Sequence, residues 1–154
     1  MPIDFKNCQV SSALCSIQLS DLKKKKVDYV GIVFNLDKSY QPGSHWIALF
    51  VNMPKQELNY WDSYGATSKV PTEVEELMDK LSRQGKEMGI DFKKQYNRIR
   101  HQYGNSECGV YCIHFIVQQL YGASFKSVCE NKMKDKEIEE YRRVFFNIPS
   151  PSAS

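Results

Sequence analysis

Gln102-Tyr103-Gly104-Asn105-Ser106-Glu107-Cys108-Gly109-Val110-Tyr111-Cys112 is the stretch on which the fold turns. Positions 103 to 107 are polar or Gly and read as a loop. Cys108 to Tyr121 then runs largely apolar and is closed by Gly122, where a helix C-terminus favours glycine. A helix this apolar belongs inside the molecule, so the rest of the chain must supply the elements that cover it.

Those elements can be read on either side. Val27 to Leu36 is rich in β-formers and predicts a strand, followed by the Gln41-Pro42-Gly43 turn. Ser44 to Met53 is nearly continuous in apolar residues, which predicts a central strand. Pro54-Lys55-Gln56 turns the chain into Glu57 to Ser63, a third strand placed to be a hairpin partner of the second. Thr72 to Lys86 carries Val74, Leu77, Met78 and Leu81 on one helical stripe, with Thr72 and Glu75 fitting a capping box after Pro71. Phe92 to Gln102 reads as a strand near a sheet edge, and Lys134 to Phe146 as a closing helix with Ile138, Tyr141, Val144 and Phe145 inward. The expected class is α+β, with a core of strands carrying one buried helix.

The chain has 154 residues, 42% hydrophobic and 25% charged, which suits one globular domain over 1–148 and a frayed tail at 149–154. A formal charge of +3 is too mild to argue for nucleic acid by itself. No apolar run reaches the length of a membrane helix and no signal-peptide core opens the chain, so an intracellular protein is expected. Lys23 to Lys26 is expected to be a solvated loop. The five cysteines, at 8, 15, 108, 112 and 129, form no Cys-x-x-Cys pair and are expected to be reduced thiols, with no structural zinc.

Within that scarce set, Cys108 has the best chemical setting. At a helix start, unpaired backbone N–H groups and the helix dipole favour a thiolate. Gly109 then lets a substrate carbonyl approach the backbone. A thiol nucleophile needs an imidazole and a group to orient it. His45 opens the second strand and Asp62 ends the third, so a hairpin brings them to the same side of the sheet. Gln102, six residues before Cys108, can supply an oxyanion donor beside the Cys108 N–H. Each of these residues has an ordinary structural use as well. His101 and His114 compete with His45, but His101 should face away from Gln102 and His114 points away from Cys108 around the helix, so both are expected to be structural. Cys112 is expected inside, and Cys8, Cys15 and Cys129 to be filler.

Gly43-Ser44-His45-Trp46, Tyr60-Trp61-Asp62-Ser63-Tyr64-Gly65 and Gln102 to Gly109, in the order His, Asp, Gln, Cys, resemble the cysteine peptidases that process ubiquitin-like proteins and the adenovirus maturation protease. The resemblance spans residues 27 to 122. Asn35 to Trp46, His101-Gln102, Glu107 to Cys112 and the closing Arg142-Arg143-x-Phe145-Phe146 resemble the short versions in large DNA viruses and their relatives. It implies a papain-like, adenain-like fold: a central mixed sheet with the nucleophile at the N-terminus of a buried helix. It implies Cys108 as nucleophile, His45 as base and then acid, Asp62 as orienter, and Gln102 with the Cys108 N–H as oxyanion hole. The resemblance also implies that Trp46 covers a narrow passage for Gly-Gly-like residues, with Gly109 and Glu107 at the substrate.

Two activities follow. One is a thiol endopeptidase cutting after Gly-x-Gly sites of viral structural precursors. The other is an isopeptidase deconjugating SUMO, ubiquitin or a similar modifier; acetyl transfer and a non-catalytic binding module stand further back. No Trp precedes Trp46, and the chain is shorter than the deconjugases' catalytic domains, which favours a compact, monomeric endopeptidase. No metal or cofactor is needed, while DNA or a peptide is a conceivable activator.

Overall fold

The computed structural model describes residues 1–147; the tail expected at 149–154 lies outside them. Two short helices, α1 (Ser12–Cys15) and α2 (Leu19–Lys24), lead into β1 (Tyr29–Asn35), β2 (Trp46–Asn52) and β3 (Glu57–Trp61). A long helix, α3 (Thr72–Glu87), crosses to β4 (Lys93–Tyr96), and α4 (Cys108–Leu120), α5 (Phe125–Glu130) and α6 (Asp135–Phe146) complete the fold. The strands form one mixed sheet in the order β1-β2-β3-β4. Its first two pairings are antiparallel, while β3 and β4 run parallel because α3 carries the chain back over the sheet. None of the helices described is long and apolar enough to cross a membrane.

The apolar run of β2 is explained by a core on each face of the sheet. Ile47, Leu49 and Val51 point to one side and pack with Leu77, Met78 and Leu81 of α3. Ala48 and Phe50 point to the other and pack with Tyr111, Cys112 and Phe115 of α4. With successive side chains alternating between two covered faces, every position is apolar. Trp61, on β3, stacks on Phe115 with centroids 5.1 Å apart and planes at 9°. Both side chains are buried, so truncating either to Ala removes about 3–5 kcal/mol of stability.

The structure departs from the sequence expectations at several points. The Thr72–Glu75 capping box does not form: Thr72 is the first helical residue, and no side chain caps the end. Glu75 instead accepts from Tyr96 Oη at 2.7 Å and from Lys94 Nζ at 3.3 Å, tying α3 to β4. The strand expected over 92–102 stops at Tyr96, at the sheet edge as anticipated, because the backbone beyond it finds other partners. Ala66 N–H donates to Arg98 O, and His101 and Gln102 N–H both donate to Ser63 O.

On α6, Ile138 is buried and Phe145 half-buried, but Tyr141, expected inward, is exposed at 36% and Val144 at 71%. Six residues at 100° each carry Val144 off the stripe that Ile138, Tyr141 and Phe145 share. Lys23 and Lys24 end α2 rather than sit in a loop, although all four lysines are exposed. The expectation of five free thiols is also corrected: Cys8 and Cys15 form a disulfide, their Cα atoms 5.3 Å apart. The helical turns between them bring two residues of modest sequence separation within bonding reach.

Candidate active site

The β2–β3 hairpin pairs Ala48 with Trp61, so His45 on one side and Asp62 to Tyr64 on the other lie just beyond its open end. The juxtaposition expected from the hairpin is present: His45 Nε2–H donates to Asp62 Oδ1 at 2.9 Å, with both residues buried. The same Oδ1 accepts the Tyr64 N–H at 2.9 Å. A buried carboxylate needs donors to meet its charge, and here the local turn and the imidazole both serve Oδ1, while Oδ2 is buried without a hydrogen-bond partner. With Nε2 committed to Asp62, Nδ1 is the ring nitrogen left for Cys108.

Gly65 makes the turn after Asp62 possible. Its φ is +63°, and a Cβ there would lie 2.6 Å from the Ile99 carbonyl carbon and 2.8 Å from Arg98 O. Only glycine lets segment 62–66 lie against 97–102. Asn97 Nδ2 clamps the two by donating to Asp62 O at 2.8 Å and to Ile99 O at 3.0 Å.

Gln102 is brought to the same place. Its Oε1 accepts from Ser63 Oγ at 2.6 Å and its Nε2 donates to Gly104 O at 3.1 Å. These two bonds fix which end of the amide is nitrogen, leaving one N–H uncommitted. Gly104 N–H and Tyr103 N–H donate to Asp135 Oδ2, at 2.7 and 3.0 Å, and Arg142 Nη2 donates to Ser106 O at 2.9 Å. The loop before Cys108 is thus held by α6.

Cys108 starts α4, as expected, and is buried. Burial pushes its thiol pKa up. The hydrogen bond and charge of His45, with the backbone N–H groups of Trp46 and Gly109, outweigh that and hold it below the usual thiol value. Burial alone would lower the His45 pKa, but Asp62 and Cys108 raise it to about 9. Each shift has the other residue among its causes, so the arrangement favours a thiolate–imidazolium pair.

The remaining thiols and histidines are set differently. Cys112 is fully buried and its pKa lies well above the ordinary thiol value because of desolvation. His101 donates to Cys129 O at 2.9 Å and meets Trp61 edge-on, and His114 meets Tyr141 edge-on at 4.9 Å. Both are engaged with these residues and not with Cys108. Among the described residues, no group of three or more His, Cys, Asp and Glu side chains is arranged to hold a metal ion.

A cavity of about 450 Å³ opens at Cys108, lined by Trp46, Gly109, Val110, Ile113, Ser106 and Arg142 among others. A Cβ added at Gly109 would lie 4.0 Å from the Trp46 ring, so the helix backbone there faces the indole directly. Glu107 does not reach this cavity. Its carboxylate turns back on its own loop, accepting from Ser106 N–H and Oγ, and faces α6 instead.

Ser63, Asn97, Arg100 and Asp135 were not anticipated at the site. Ser63 stands beside Asp62 in the chain, but its partner Gln102 is distant in sequence, and nothing in local spacing links them.

Comparison with known proteins agrees with this layout. Residues 15–147 match the model of the Ulp1 protease family, C-terminal catalytic domain. A candidate thiol protease of Acanthamoeba polyphaga mimivirus is 37% identical over 140 residues, covering 89% of this chain and 45% of that protein. A SUMO-1 cysteine protease of African swine fever virus is 29% identical over 128 residues, covering 81% and 46%. The chain therefore spans about half the length of the curated relatives it matches. A crystal structure of the ASFV protease superposes with a TM-score of 0.78 at 22% identity, over 92% of this chain and 55% of that one, so the fold is shared. The α+β architecture that the resemblance implied, a mixed sheet with Cys108 at the start of a buried helix, is the one observed, and the chain belongs to the Ulp1 protease family through its catalytic domain.

Proposed function

We propose that the domain is a thiol endopeptidase in which Cys108, His45, Asp62 and Gln102 carry the chemistry. The Cys108 thiolate adds to a peptide carbonyl, and the oxyanion is held by the free Gln102 N–H and the Cys108 N–H. The His45 imidazolium protonates the departing amine as the C–N bond breaks, leaving an acyl-enzyme thioester. His45 then takes a proton from water, whose oxygen attacks the thioester, and returns it to the Cys108 sulfur. Asp62 keeps the imidazole aimed throughout. The observation that carries this reading is the His45 Nε2–Asp62 Oδ1 bond beside a thiol of lowered pKa at a helix start.

The substrate is a protein cut after Gly-x-Gly-like residues, in the first instance a viral structural precursor. Support comes from the cavity at Cys108, whose wall is formed in part by Trp46 and by Gly109, which has no side chain, so that small residues beside the cleaved bond meet the least obstruction. The test profiles peptides with and without Gly-x-Gly against the wild type and Cys108→Ala. Cleavage confined to the glycine-containing peptides and abolished by Cys108→Ala is expected; cleavage that survives the substitution would falsify the assignment. A second reading, isopeptidase action on SUMO or a related modifier, is favoured by similarity to a relative named as a SUMO-1 cysteine protease. Propargyl-amide probes of each modifier separate the two, because only a deconjugase is labelled at Cys108.

A further inference from the structure

We propose that Tyr64 is a positioning residue that holds the base, its acid and the nucleophile loop in one arrangement. This role presupposes the thiol-peptidase chemistry proposed above. Three different groups of the one residue are engaged. Its N–H donates to Asp62 Oδ1 at 2.9 Å, the oxygen that also accepts His45 Nε2–H. Its ring lies nearly flat on the His45 imidazole, with centroids 4.5 Å apart and planes at 17°. Its hydroxyl donates to Gly104 O at 3.1 Å, on the loop leading into Cys108, and that carbonyl also accepts Gln102 Nε2.

The physical consequences differ for each contact. An imidazole tethered only through Nε2 can swing about that bond; an aromatic face at van der Waals distance stops it and favours the cationic form of the ring. The hydroxyl fixes the carbonyl that orients the Gln102 amide, so the oxyanion donor and the base share one brace. Arg100 reinforces it, with its guanidinium carbon 5.4 Å from the Tyr64 centroid and its Nε donating to Gln102 O at 2.8 Å. The charged groups facing His45 are Asp62 and Cys108; Arg100 and Glu107 act at Tyr64.

Steady-state peptide cleavage and the pH dependence of Cys108 alkylation by iodoacetamide, each corrected for the folded fraction measured by circular dichroism, test this in wild type, Tyr64→Phe and Tyr64→Leu. Tyr64→Phe keeps the stack and loses the hydroxyl bond. It should lower kcat about 3–10-fold, leave KM unchanged and keep the wild-type alkylation profile. Tyr64→Leu loses both, and kcat should fall about 10–100-fold. Its alkaline limb should move down from the wild-type position, because the aromatic face no longer favours the cationic ring, while Asp62 and Cys108 continue to hold the His45 pKa up. A Leu variant with wild-type kcat and an unmoved limb overturns the proposal. So does an equal loss in both variants with the limb unmoved, which marks a purely structural role. Alkylation needs no substrate, so failure of this proposal is distinct from failure of the peptidase reading, which Cys108→Ala decides.

Discussion

Ser63 Oγ donates a 2.6 Å hydrogen bond to Gln102 Oε1, and both residues are fully buried. The bond sets the orientation of an amide whose nitrogen must face a developing negative charge. It joins the turn that carries the acid to the segment that leads into the nucleophile.

Ser63→Ala should therefore act on catalysis through Gln102. Without the hydroxyl, the amide has one fixed bond instead of two and spends part of its time with oxygen toward the oxyanion. The expected result is a roughly 10-fold fall in kcat with KM little changed. A Gln102→Ala control should fall further, by about 10²–10³-fold. Steady-state kinetics on a glycine-containing peptide checks both.

Asp62→Asn should shift the pH profile as well as the rate. His45 has its pKa raised to about 9, partly by Asp62, so the imidazolium persists until the pH passes that value. The sign is the usual one for a raised base: the interactions contribute fully below its unfolded value and are lost as pH rises through about 9. Replacing the carboxylate should bring the alkaline limb of kcat/KM downward and lower kcat by about 10²–10⁴-fold. A pH–rate profile with an unmoved limb would show that Asp62 does not support the charge.

Gly109→Val should block the site with little effect on folding. A Cβ there would sit in ordinary contact with the indole, 4.0 Å away, so the γ-methyls must push aside the partly exposed Trp46 side chain at the edge of the cavity. The cost of a β-branched residue in a helix is below about 1 kcal/mol, so the melting temperature should move by only a few degrees. The kcat/KM for peptide should fall at least about 100-fold, while small iodoacetamide still alkylates Cys108. Loss of alkylation along with cleavage would mean the nucleophile itself had been displaced.

Reduction of the Cys8–Cys15 disulfide should lower stability without touching the chemistry. The bond closes a loop of seven-residue separation in the N-terminal segment, far in sequence from the site. Chain-entropy arguments put such a short loop at about 2 kcal/mol. Thermal melts of the wild type and a Cys8→Ser, Cys15→Ser double variant should differ by several degrees, with peptide kcat unchanged. Equal melting temperatures would show that the bond adds nothing to the folded state.

Much of the site was legible because its parts are marked by local pattern. The apolar stretch beginning at Cys108, after a polar loop, marked a buried helix with a nucleophile at its start. The turn at Pro54-Lys55-Gln56 between two β-rich runs made a hairpin, and a hairpin brings the residues at its open end together whatever surrounds them. That is why His45 and Asp62 met as expected. The errors share one cause. Thr72 and Glu75 had the spacing of a capping box, but Glu75 found Tyr96 and Lys94 across the fold. Phe92 to Gln102 had the composition of a strand, but its second half found Ser63 and Ala66 instead. In each case a distant partner outcompeted a local one.

By itself, the sequence determined the fold class, the covered strand β2, the hairpin and the identity of the four residues proposed for the chemistry. The first three follow from periodicity, turn residues and short spacings, which act within one or two elements; the four residues were singled out by the resemblance of their motifs to a peptidase family. Only the tertiary structure decided that Ser63 orients Gln102, that Tyr64 stacks on His45, that Glu107 turns from the cavity and that Cys8 joins Cys15. The first two contacts depend on the approach of segments 62–66 and 97–102, which Gly65 permits through its positive φ and missing Cβ. A contact between distant residues is set by how whole elements pack, and no local pattern carries that information.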